Sequence, residues 1–245
     1  MGKNENSYTG TSFLVLFAIS LAHFLNDAVQ SVIPAMYPIL KSEFSLTFTQ
    51  IGLLTLVFQM TSSILQPFVG RYADRHPSPF ALTVGMCISL TGLFVLAYSG
   101  GFEIIILSVA IIGMGSSIFH PEASRVAQQA AGDRKGLAQS IFQVGGNGGS
   151  AIGPLLAALI ILPHGRGAVI WFTLALILGA FVVARIGVWY RGVLRSAEIP
   201  RKRIVSHAYN LSNSQIRRAM FILVLLTFSK QFYLSSMTSY FTFFL

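Results

Sequence analysis

Seven apolar segments, at roughly residues 11–40, 49–70, 79–99, 102–131, 136–162, 167–190 and 219–245, occupy most of the chain. Backbone in hydrocarbon must satisfy its own hydrogen bonds, and an α-helix needs about 20 residues to cross a core of roughly 30 Å. Each segment therefore predicts a transmembrane helix. A lipid-facing β-barrel would show stretches of about ten residues in strict apolar and polar alternation, whereas these segments carry continuous runs such as "IIILSVAIIGMG". An all-α membrane protein is expected, in keeping with a mean hydropathy of +0.67 and only 10% charged residues.

The net charge of +9 would suggest nucleic-acid binding in a soluble protein, but the placement of the charges points elsewhere. Eight of the 17 Lys and Arg fall between Arg185 and Arg218, Arg71 and Arg75 follow the second segment, and Arg134 and Lys135 follow the fourth. The opposite connections carry only Lys41 and Arg166. Basic residues accumulate on the cytoplasmic side, so the N-terminus is expected in the cytoplasm and no nucleic-acid partner is expected. Residues 1–190 read as a six-helix bundle, 191–218 as a basic cytoplasmic linker, and 219–245 as the first helix of a second bundle. Topology is the main role expected of the linker, with contact to anionic lipid second. The opening "MGKNENSYTG" lacks the pattern of a removable signal peptide. The last segment stops at Leu245 in "YFTFFL" without a polar exit, which predicts a longer protein with a missing C-terminal half. Cys87 stands alone, so no internal disulfide or thiolate metal cluster is available.

A charge at the centre of a span costs roughly 2.5–3.5 kcal/mol on insertion scales, so each one needs a partner, a wet cavity or a task. Away from the segment ends, where Glu103 and Arg185 lie, the charges inside segments are Asp27 in the first, Glu122 and Arg125 in the fourth, and Lys230 in the seventh. In the first segment His23, Asn26, Asp27 and Gln30 recur at spacings of three and four, and Pro34 and Tyr37 continue the line. That polar face is expected to look into a cavity, the alternative being a stripe that bonds neighbouring helices. Asp27 stands out because hydrogen bonding alone would be served by Asn, whereas a carboxyl can also carry a proton. In the fourth segment Glu122 and Arg125 share a helix face. Either they neutralise each other, or Arg125 grips an anionic substrate while Glu122 exchanges protons. Pro121 removes a backbone donor and is expected to bend this helix beside His120. Lys230 offers a second anion contact or a partner for Asp27, with Gln231 and Tyr233 beside it.

Quieter polar lines run through the second segment (Thr55, Gln59, Ser62, Gln66) and the fifth (Gln139, Gln143, Asn147, Ser150), where packing and cavity lining stand as equal readings. The fifth also carries Gly145, Gly149 and Gly153 at steps of four, a spacing that lets another helix approach closely. Pro154 is expected to weaken it there. A phosphate loop is excluded, since no Walker Lys and no preceding strand are present. An intramembrane metal enzyme built on His23, Asp27, His120 and Glu122 is disfavoured, because the paired-His helix spacing of such sites is missing. No metal and no catalytic residue are expected.

The ensemble resembles the N-terminal half of a major facilitator superfamily transporter running into its seventh helix. After the second segment, "GRYADRHPSP" is similar to that superfamily's loop signature through Gly70, Asp74 and Arg75, while Pro77, Ser78 and Pro79 replace its later Gly and basic residues. "GSAIGP" resembles the antiporter signature Gly-x-x-x-Gly-Pro through Gly149, Gly153 and Pro154. Longer stretches, among them "LAHFLNDAVQS", "GSSIFHPEASRVA" and "GLAQSIFQVGGNGGSAIGPLLAA", resemble the fosmidomycin resistance protein family of bacterial drug exporters. The resemblance implies a fold of six helices in 3+3 inverted repeats plus helix seven, and a latch role for Asp74 and Arg75. It also implies secondary transport rather than enzymatic activity: proton-coupled efflux across the bacterial inner membrane, with the proton gradient and no cofactor as the energy source. Protons, the lipid bilayer and a small molecule such as a phosphonate are then the partners. On this reading Asp27, Glu122, His23 and His120 are candidates for proton coupling. Arg125, Lys230, Asn26, Gln30, Gln143, Asn147 and Tyr233 are candidates for substrate binding. Export of another metabolite or drug, or a purely structural role for a half-length chain, are the alternatives.

Overall fold

A computed structural model describes residues 11–197 and 212–240. The polar N-terminal stretch, the Arg201, Lys202 and Arg203 run of the linker and residues 241–245 of the seventh segment lie outside the described residues. The regular structure of the described residues is all helical, with helices α1 (Phe13–Ala35), α2 (Tyr37–Glu43), α3 (Phe48–Gln59), α4 (Leu65–Arg75), α5 (Ala81–Ala97), α6 (Phe102–Ala130), α7 (Lys135–Leu156), α8 (Leu162–His164), α9 (Phe172–Ala197) and α10 (Asn213–Tyr240). A 3-10 turn at Arg166–Trp171 leads into α9. Five continuous helical stretches are long and apolar enough to cross a membrane: Phe13–Ala35, Phe48–Arg75, Phe102–Ala130, Lys135–His164 and Arg166–Ser196. α5 is apolar but shorter, at 17 residues or about 25 Å. The chain is a multi-pass helical membrane protein.

Local chemistry sets the boundaries. The first segment does not run unbroken to residue 40: Pro38, at the start of α2, has no N–H to return to Pro34 O and its ring crowds that carbonyl, and α1 ends at Ala35. Met36 closes the turn through its N–H to Val32 O and Ile33 O, and α2 resumes at Tyr37. Thr47 starts α3 with a capping box: its hydroxyl accepts from the Gln50 N–H at 3.2 Å while Gln50 Oε1 accepts from the Thr47 N–H at 2.8 Å. Pro121, by contrast, sits inside an uninterrupted α6.

The irregularities fall elsewhere, in two π turns that hydropathy does not reveal. Met60–Ile64 joins α3 to α4 ahead of Pro67, and Ala157–Ile161 joins α7 to α8 ahead of Pro163. A proline has no N–H to return to the preceding turn and its ring presses on that turn's carbonyl, so widening the helix there accommodates both effects. In the first π turn, Thr61 Oγ1 donates to Val57 O at 2.8 Å.

The helix pairings repeat. Segment one (α1) packs along segment five (α7) as segment four (α6) packs along segment two (α3 to α4). Segment four packs along segment three (α5) as segment one packs along segment six (α9), and segments three and six pack on each other. Exchanging segments 1–3 with 4–6 leaves this pattern unchanged. Because each set makes three crossings, the second begins on the opposite side of the membrane, so the repeats are inverted. Small residues make the closest contacts. A Cβ on Gly149 or Gly153 would collide with backbone oxygens of Phe24 or Ala28, and on Gly115 with Gly85 O and Ser89. The core between them is Leu, Ile, Val, Met and Phe, including Leu16, Ile19, Met86, Ile112 and Phe119. Leu14, Phe68, Leu155 and Leu174 are exposed on the outside, as a lipid-facing surface requires.

Candidate functional site

The polar line of α1 meets α6 and α7 at a three-residue cluster. Asp27 lies 3.2 Å through Oδ2 from His23 Nε2, one helical turn before it, and 3.3 Å through Oδ1 from His120 Nε2, which arrives from α6. His23 Nδ1 donates to Phe142 O on α7 at 2.8 Å, and His120 Nδ1 donates to Ser116 O at 3.0 Å. Carbonyl oxygens only accept, so these two bonds place a hydrogen on each Nδ1. In the neutral ring each Nε2 is then a lone pair aimed at a carboxylate oxygen. Asn26 Nδ2 donates to Asp27 Oδ1 at 3.1 Å and fixes the carboxylate from its own helix. His23 is held on both sides, with the Phe142 ring stacked at 4.0 Å and Gly146 so close that a Cβ there would collide with the imidazole.

Asp27 and His120 form part of the wall of a cavity of about 710 Å³. Around them amides and hydroxyls (Gln30 and Ser31 from α1, Thr55, Gln59, Ser62, Ser63 and Gln66 from segment two, and Ser150 from α7) share the wall with apolar side chains, among them Pro34, Phe58 and Met237. All four residues of the second segment's polar line are here, which decides between packing and lining in favour of lining. Of the fifth segment's line only Ser150 takes part, with Pro154 beside it. Gln143 and Asn147 are exposed and outside the wall. Gln30 Oε1 accepts from Ser116 Oγ at 3.1 Å, while its Nε2 is buried and has no partner among the described residues. Tyr37 and Thr55 bond each other at 3.0 Å across the cavity edge.

Arg125 is placed differently from the anion contact expected of it. Its Nη1 donates to Glu122 Oε1 at 2.8 Å, and its Nη2 donates to Asp74 Oδ1 at 2.6 Å and to Gly70 O at 3.3 Å. The guanidinium thus ties α6 to the end of α4, outside the cavity wall, and both of its forks are engaged. Glu122 is buried beneath the part-buried Arg125 and does not join the Asp27 cluster. The loop signature residues meet here: Gly70 and Asp74 bind Arg125, while Arg75 is exposed. Lys230 also misses the cavity. It and Tyr233 lie on exposed faces of α10, and Gln231, the next residue and about 100° further round the helix, lines the wall with Met237. Asp27 therefore pairs with imidazoles rather than with Lys230. Ser116, Phe142, Ser31 and Ser63 were not anticipated; Ser116 alone had a sequence signal, lying one turn before His120.

A helical membrane bundle of inverted three-helix repeats, with a cavity of mixed polar and apolar lining between its first, second, fourth and fifth segments and α10, has the architecture of a solute transporter. The Major Facilitator Superfamily profile matches residues 19–245. The chain is 53% identical over 235 residues to a protein of Escherichia coli K12 named "Fosmidomycin resistance protein", covering 96% of this chain and 57% of that one. It is 49% identical over 186 residues to the "Uncharacterized MFS-type transporter YfnC" of Bacillus subtilis 168, covering 76% of this chain and 46% of that one. The chain thus spans about half the length of these curated relatives. Among solved structures it resembles a bacterial homologue of the human lysosomal transporter Spinster, in an inward-facing and unoccupied conformation, with a TM-score of 0.60. That likeness covers 88% of this chain and 48% of that one at 17% identity, and shows the fold. The chain belongs to the Major Facilitator Superfamily, a family of transporters rather than enzymes.

Proposed function

We propose that this chain is the N-terminal part of a proton-coupled drug-efflux antiporter of the bacterial inner membrane, with its N-terminus in the cytoplasm. The observation that carries the reading is the His23, Asp27 and His120 cluster, a carboxylate facing two imidazole lone pairs at the wall of a polar cavity. Such a group has too few hydrogens for its acceptors in the neutral state and is completed by taking up protons. Cargo and proton then compete for one wall, and the bundle rocks against a C-terminal counterpart to expose that wall to each side in turn. The Arg125, Glu122 and Asp74 cluster serves as the latch at the end of α4.

The cargo is a small molecule of the phosphonate type, by analogy with the drug in the relative's name. No Lys or Arg stands on the described cavity wall, so the anion contacts fall to His120 in its protonated form, to the Gln59 and Gln66 amides and to the Ser63 hydroxyl. The test is transport by the protein reconstituted in vesicles carrying an internal pH dye. Asp27→Asn should abolish cargo-driven proton movement. Normal proton-coupled export by that variant would rule the proposal out.

A further inference from the structure

We propose that His23, Asp27 and His120 also form a binding site for a divalent transition-metal ion of the zinc class. The inference does not depend on what the protein exports. It rests first on convergence: one ligand atom from each of the three residues can be chosen so that all lie within 4.8 Å of one another. His23 Nε2 lies 3.2 Å from Oδ2 of Asp27 and His120 Nε2 lies 3.3 Å from its Oδ1, so each ring meets its own carboxylate oxygen at about the 3.3 Å that separates two ligands bound about 2.0–2.1 Å from a tetrahedral ion.

The second support is the direction of the lone pairs. A metal-binding imidazole presents one bare nitrogen and donates its other N–H to a carbonyl or carboxylate, which fixes the tautomer and orients the ring. Both rings here do so independently, His23 through Phe142 O and His120 through Ser116 O. The carboxylate has its own outer support in Asn26. A neutral pair of imidazoles facing a carboxylate has no attractive contact of its own, and a cation between them supplies it.

Third, the site has an entry. Asp27 and His120 line the cavity, so a fourth position is open to water, as in zinc sites with three protein ligands and an exchangeable one. Two imidazoles and one carboxylate suit zinc, cobalt or nickel rather than magnesium or calcium, which take oxygen ligands. The sequence offers these residues as candidate ligands without a ligand spacing, because the two histidines are 97 residues apart and only the packing of α6 on α1 joins them.

The experiment uses the chelator-stripped protein in detergent, in a variant lacking the chain's other histidines and its cysteine (His76→Ala, His164→Ala, His207→Ala, Cys87→Ser) so that no other imidazole or thiolate contributes. Cobalt(II) is added and its visible ligand-field bands are followed, then zinc is added to displace it. One equivalent should bind with the bands of a low-coordinate nitrogen and oxygen site. His120→Ala, which faces the cavity, and Asp27→Asn should each weaken binding by at least about tenfold, since even outer partners of metal ligands are worth 10- to 100-fold. His23→Asn gives a third reading without emptying the space between Phe142 and Gly146. No bands, or an affinity in His120→Ala or Asp27→Asn unchanged from the parent protein, overturns the proposal. Export by Asp27→Asn is measured separately, so failure of the metal site and failure of proton coupling are told apart.

Discussion

Arg125 offers the sharpest energetic test, because one guanidinium holds two carboxylates in opposite environments. Glu122 is buried, with 1% of its side chain exposed, whereas 73% of Asp74 is exposed. Removing the exposed partner should matter little. Asp74→Asn forfeits a surface ion pair, worth up to about 1 kcal/mol. Removing the shared cation is another matter, since Arg125→Gln leaves Glu122 buried without a counter-charge, and breaking a buried pair costs about 3–5 kcal/mol. The two variants should therefore differ by at least about 2 kcal/mol, a factor of roughly 30 in the folded-to-unfolded ratio. The double variant Glu122→Gln with Arg125→Gln should recover at least half of the loss, because two neutral amides of similar volume can bond each other. The measurement is denaturant unfolding of the protein in detergent, with Glu122→Gln alone added so that it, Arg125→Gln, the double variant and the unmodified protein complete a double-mutant cycle. Equal losses for Asp74→Asn and Arg125→Gln, or no recovery in the double variant, would refute the account of Glu122 as the dependent partner.

Two further outcomes are expected. Gly149→Ala should cost about 1–3 kcal/mol by driving a methyl into the Phe24 carbonyl, while Gly148→Ala, whose Cβ would meet only the edge of the Phe24 ring at 3.4 Å, should stay within about 0.5 kcal/mol; thermal unfolding separates them. Arg166 donates to Leu96 O, Ala97 O and Ser99 Oγ at 3.0–3.1 Å and pairs with Glu43, so Arg166→Gln should cost about 1.5–3 kcal/mol and speed amide exchange in the last turn of α5.

The helices and the polar face of α1 were legible because hydropathy and the 3.6-residue period report what a membrane demands of each segment separately. Partner choice was not. Glu122 and Arg125 on one helix face were compatible with mutual neutralisation or with a cargo site, and the deciding residue, Asp74, lies 51 positions away on α4. His23, Asp27 and His120 were each singled out, yet nothing in the chain places His120 against Asp27 rather than against water. Lys230 and Gln231 show the limit of resolution: a period identifies a face only to within a residue, and one residue turns a side chain by about 100°. The π turns were hidden because widening a helix by one residue changes its hydrogen bonding and leaves its hydropathy intact.

The bond from His23 to Phe142 crosses the seam between α1 and α7, and it makes the imidazole a detector of mechanical slip. As long as the two helices stay in register, the carbonyl of α7 dictates which nitrogen of a residue on α1 carries the hydrogen. A slide along the glycine-lined track that parts those atoms removes the dictation, and the hydrogen is free to change address to the nitrogen facing Asp27. Movement of a backbone by an ångström or two would thus be converted into a change of chemical identity at the cavity wall, with no side chain having to travel.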